Sequence, residues 1–86
     1  MSEEATEMLR EACTDSSGMI LSVHHDGGRD FQTNGHAFVK DGSPRSQALW
    51  KAAFDQLLGS GLIEARGHKN EVFQVTHEGY RVGDSL

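Results

Sequence analysis

The dipeptide Asn34-Gly35 restricts the fold of this chain more than any other pair of residues in it. A two-residue hairpin loop of type I′ needs positive φ at both positions, and Asn-Gly meets that need at low cost. Such a turn sets the register of its flanks: Thr33 faces His36, Gln32 faces Ala37, and Phe31 faces Phe38. A facing aromatic pair agrees with this register and helps to fix it. Upstream, Met19 to His25 is rich in Ile, Leu and Val and reads as a strand, with Asp26-Gly27-Gly28 as a turn. Downstream, Asp41-Gly42 ends the last strand. Residues 19–40 are therefore expected to form a three-stranded meander.

Helices are expected on both sides of it. Ala5, Met8, Leu9, Ala12 and Cys13 recur at helical spacing over residues 2–13, with Ser2 as cap and Glu3 and Glu4 at the positive end of the dipole. Over residues 44–58, Ser43 caps and Pro44 takes the first position, where a missing N–H costs nothing. At about 100° per residue, Leu49, Trp50, Ala53, Phe54, Leu57 and Leu58 form the expected core face. Arg45, Ala48, Lys51, Ala52, Asp55 and Gln56 form the open one. Gly59-Ser60-Gly61 stops this helix. A second hairpin follows, Leu62–Ala65 and Glu71–Thr76, around the loop Arg66-Gly67-His68-Lys69-Asn70. Val72, Phe73 and Val75 include both faces of their strand, so one face is expected to be partly exposed. Thr76 caps a short last helix, in which Gly79 permits close packing.

The expected fold is α+β, in the order α-β-β-β-α-β-β-α, as a single domain over residues 1–86. With 36% hydrophobic residues and ten glycines in 86 residues, the core is lean and the turns are many. A lone cysteine, Cys13, excludes an internal disulfide and is expected in the core as a small hydrophobe. The acidic start Met-Ser-Glu-Glu does not suit a signal peptide, and no apolar run has the length of a membrane span. The expected location is the cytoplasm.

Residues 49–82 run as Leu-rich helix, Gly stop, Gly-Leu-Ile-Glu, charged hairpin, Val-Phe-Gln-Val-Thr and Thr76-His77-Glu78-Gly79-Tyr80. This stretch resembles the recognition helix, wing and following helix of winged-helix proteins, especially MarR-type bacterial regulators. The whole chain, through Gln32-Thr33-Asn34-Gly35, Asp41 to Ser46, Trp50 and Glu71 to Tyr80, also resembles a small domain found alone or at the C-terminal end of bacterial and phage proteins. The resemblance implies a winged-helix-like fold. A hairpin over residues 29–40 stands where a helix-turn-helix has its first helix, and there it would crowd the face that meets the major groove.

The expected function is non-catalytic: a module for protein–protein contact, by self-association or by docking to a larger assembly. The alternative is a nucleic-acid-binding regulator. Its contact residues would be Arg45 and Lys51 on the long helix and Arg66, His68 and Lys69 at the wing, with Asp55 and Glu64 interrupting them. The acidity is concentrated in residues 1–28, with six acids against Arg10, whereas residues 29–86 balance. A positive stripe joining the helix to the wing would favour nucleic acid; its interruption, or an apolar patch, would favour protein. His24 and His25 are adjacent and point to opposite faces of a strand, and no Cys-x-x-Cys or His-Glu-x-x-His spacing is present. Neither a metal nor a cofactor is expected.

Overall fold

The structure is a computed structural model that describes residues 1–26 and 28–86. Its elements are α1 (Glu3–Thr14), β1 (Met19–His25), β2 (Gly28–Thr33), β3 (His36–Ala37), α2 (Pro44–Gly59), β4 (Ile63–Arg66), β5 (Val72–Val75) and α3 (His77–Asp84). The five strands form one antiparallel sheet in the order β3-β2-β1-β5-β4. The central strand, β1, thus joins two hairpins that are far apart in sequence. The Asp26–Gly28 turn expected from the sequence falls across Gly27, which lies outside the described residues.

Each helix begins where the sequence supplies a cap. Ser2 accepts from the Ala5 N–H at 3.1 Å, Ser43 from Ser46 at 3.1 Å and Thr76 from Gly79 at 3.0 Å. Asp41 braces the second cap by accepting from both the N–H and the hydroxyl of Ser43, and these bonds hold its carboxyl below the ordinary aspartate range. At the far end of α2 the chain closes a Schellman motif. Gly61, with φ at 74°, donates to Leu58, and Leu62 donates to Leu57. This reversal delivers the chain straight into β4.

The turn at Asn34-Gly35 has φ of 50° and 79°, with Thr33 opposite His36 and Gln32 opposite Ala37. Phe38 donates to Phe31, so the register extends one pair further. Two details differ from the sequence reading. The third strand is two residues long; past Phe38 the chain leaves the ladder, and the Val39 N–H bonds to the Asp30 carboxylate at 2.9 Å. And the two phenylalanines do not stack on each other. Phe31 stacks on Phe54 and Phe38 on Trp50, with ring centroids 4.6 and 4.8 Å apart.

The helices share one side of the sheet. Ile20, Phe31, Ile63, Phe73 and Val75 point toward them, and Ala5, Met8, Leu9, Ala12, Ala53, Phe54 and Leu57 close the core from above. Phe54 lies at its centre, stacked on Phe31 and edge-on to Phe73 at 4.6 Å. The buried arc of α2 is narrower than its sequence suggests. Leu49 and Leu58 are 47% and 39% exposed, and Trp50 is half-buried. The two leucines flank the arc on opposite sides, and a helix lying on a single layer covers only its middle. The β2–β3 hairpin packs beneath α2, on the side of Phe54 and Trp50, and leaves Ala48 and Ala52 exposed.

Every buried side-chain nitrogen and oxygen among the described residues has a hydrogen-bond partner. Thr33 donates to the Met19 carbonyl, and Asp30 accepts from its neighbour Phe31. Ser22 accepts from Arg29 Nε at 2.6 Å, and the Arg29 guanidinium spreads over the rings of Phe31 and Phe54 at 4.8 and 5.2 Å.

Cys13 is only half-buried, at the rim of the core beside Gly79 and Gly83. Burial, and then the Asp84 carboxylate, push its thiol above the ordinary cysteine range. The reactive species is the thiolate. Iodoacetamide at neutral pH is therefore expected to label Cys13 slowly in the native protein and quickly in denaturant. Native labelling as fast as that of free cysteine would contradict this environment.

Candidate interaction surfaces

The five cationic positions singled out by the sequence fall into two groups. Arg45 and Lys51 are exposed on α2, six residues apart and so about 120° apart around its axis. Arg66, His68 and Lys69 line a shallow groove of about 290 Å³ at the β4–β5 turn, where Gly67 and Asn70 take positive φ.

Acids accompany these charges. Lys51 Nζ lies 2.7 Å from Asp55 one helical turn on. Arg66 lies 3.7 Å from Glu64, two residues back on the same face of β4. Glu71 lines the same groove as Arg66, His68 and Lys69. Each cluster is therefore broken by carboxylates. Asp55 and Glu64, named from the sequence as interruptions, hold the partners Lys51 and Arg66.

The larger surface is one the sequence reading did not single out. Along β1, Ile20 and Ser22 face the helices, so Met19, Leu21 and Val23 face away. Leu21 pairs with Val72 of β5 and with Gln32 of β2. This face carries no helix. It has an apolar centre of Met19, Leu21, Val23 and Val72, and Leu21 is 42% exposed. A groove of about 520 Å³ runs over it from Asp15 and Ser17, past Met19, Leu21 and Val72, to Gln32 and the turn residues Asn34–Ala37. Such an antiparallel face is ordinarily polar, with apolar and polar residues alternating. Here Met19-Ile20-Leu21 does not alternate, and that run was the available signal.

At the turn end of this groove, Glu11 of α1 accepts from Asn34 Nδ2 at 3.1 Å and lies 3.5 Å from His36. α1 thereby holds the hairpin tip in place. His24 and His25 point to opposite faces. No three His, Cys, Asp or Glu side chains among the described residues come together as a metal site, and no helix among them is long and apolar enough to cross a membrane. The chain matches no protein-family model, no curated protein and no solved structure.

Proposed function

We propose that this chain is a non-catalytic, winged-helix-like module that binds another protein through the open face of its sheet. The carrying observation is the uncovered apolar centre formed by Met19, Leu21, Val23 and Val72. Apolar side chains gathered on one solvent-facing surface favour association, because covering them removes apolar area from water. The partner that suits it presents its own apolar strip, rimmed by polar groups for Gln32, Ser17 and Asn34. Nothing in this requires a reaction; the face offers shape and apolar area.

The winged-helix reading draws support from connectivity. The strand after α1 pairs with the second strand of the hairpin that follows α2, and α3 comes after it. The β2–β3 hairpin occupies the place of the usual intervening helix. Contact with nucleic acid through α2 and the wing is disfavoured by Asp55, Glu64 and Glu71, which stand among the cations.

Two measurements test the proposal together. Titration against labelled duplex DNA at low salt is expected to show no binding. Salt-sensitive binding that weakens in Lys51→Glu and Lys69→Glu would replace the protein-contact reading with the nucleic-acid one. The environment-sensitive dye anilinonaphthalene sulfonate is expected to bind the native protein and to lose most of that binding in Leu21→Glu, with the melting temperature little changed. Dye binding unaffected by Leu21→Glu would remove the open face as the contact surface.

A further inference from the structure

We propose that β4 is a self-pairing edge: two copies of the chain join β4 to β4 antiparallel about a two-fold axis at Ala65, giving one continuous sheet of ten strands. The proposal concerns the edge of the sheet, a different surface from its open face, and it stands or falls separately.

The two ends of the sheet are finished differently. At one end, β3 is two residues long, and the chain leaves it when Asp30 takes the Val39 N–H. A short strand ended by a side-chain bond offers little to a pairing strand. At the other end, β4 is bonded to β5 and is the last strand of the sheet. Glu64, Ala65 and Arg66 are all exposed, and β4 contains no proline and no lysine to discourage pairing. Its outer row of backbone groups is open to another strand.

The side chains decide which strand and in what register. A two-fold axis normal to the sheet keeps each face with itself, so residues facing across it must both point up or both point down. Four registers then place the axis on a residue of β4; with the axis at Ile63, Glu64 faces the second copy's Leu62 and no opposite charges meet. With the axis at Glu64, two glutamates face each other; with the axis at Arg66, two arginines do. With the axis at Ala65, Glu64 faces the second copy's arginine and Arg66 its glutamate, twice over. Opposite charges directly across an antiparallel pair stabilise it and like charges destabilise it. The sequence Glu-Ala-Arg is thus complementary to itself in one register. Within a single copy, Glu64 and Arg66 meet only at 3.7 Å, with more than half of each side chain exposed, so both are free to turn outward.

Light scattering over a concentration series tests this. The unaltered chain is expected to show a monomer–dimer equilibrium. Glu64→Arg or Arg66→Glu alone is expected to raise the dimer dissociation constant roughly tenfold, since two pairs are lost and like charges face each other. The double variant carrying both exchanges restores complementarity and is expected to return to the original constant. Ala65→Cys is expected to form a disulfide-linked dimer on oxidation, because position 65 faces itself. A chain monomeric at every concentration, or a double variant as weak as either single one, overturns the proposal. So does a dimer abolished by Leu21→Glu and indifferent to the β4 charges, which would assign self-association to the open face instead.

Discussion

Phe54→Ala is expected to destabilise the fold by about 3–5 kcal/mol, the cost of truncating a fully enclosed aromatic side chain. Phe54 stacks on Phe31 from β2, meets Phe73 of β5 edge-on, and has the Arg29 guanidinium near its ring. It is thus the side chain through which α2 holds the two hairpins together. Domains of this size have roughly 0.05–0.15 kcal/mol of stability per residue, so the loss takes much of the total. A drop in melting temperature of about 15–30 °C follows from the usual scaling for small domains. Leu58→Ala, on the same helix but 39% exposed, is expected to stay within about 0.5 kcal/mol of the parent. Thermal melts of both variants separate a core centred on Phe54 from one spread evenly along α2. Equal shifts would contradict the burial described above.

The second large effect is expected at Gly79. A Cβ there would overlap the carbonyl oxygen of Leu62, and would lie 2.8 Å from Val75 Cγ1. The oxygen belongs to the backbone and already accepts the Thr76 N–H at 3.0 Å. It cannot swing aside as a side chain would, so α3 must lift away from the β4 entry. Gly79→Ala is expected to cost about 3 kcal/mol, at the upper end for an added methyl in a packed site, together with the strained hydrogen bond. Gly59, the last residue of α2, has open space where its Cβ would stand. Gly59→Ala is expected to raise stability by about 0.5–1 kcal/mol, through the helix preference for alanine. Chemical denaturation of the pair should move the midpoints in opposite directions. A neutral Gly79→Ala would show that α3 does not dock as closely as described.

Local chemistry explains which parts of this fold the sequence reveals. Ser2, Ser43 and Thr76 cap helices because each hydroxyl serves an N–H only three residues away. Asn34-Gly35 sets its register through two adjacent φ angles. What joins β1 to β5 has no such local sign; it is the pairing of Ile20 with Phe73, more than fifty residues on. Leu49 and Leu58 were misplaced for a related reason. Periodicity gives the angle of a residue around a helix and says nothing of how wide a surface the rest of the fold will cover. At the candidate surfaces, Asp55 is legible as an interruption of the cations, and the structure pairs it with Lys51 four residues before it. The open face was legible only in part: Met19-Ile20-Leu21 breaks the alternation, but the surface forms only once Leu21 and Val72 lie side by side. Self-complementarity at Glu64 and Arg66 likewise becomes visible only when β4 is known to be the last strand of the sheet.

The placement of β1 at the middle of the sheet has a consequence for how the chain reaches this structure. Each hairpin can close over a short loop, with little entropy lost. Joining them requires β1 to capture β5, a strand that lies beyond β2, β3, α2 and β4 in the chain, and non-local pairing of this kind slows folding. Until then, both edges of β1 cannot be occupied. Until β5 arrives, the β1–β2–β3 meander has one edge of β1 unpaired. How long that edge stays bare depends on how soon Val72 to Val75 reach it, a matter of strand order and not of the strength of any one contact.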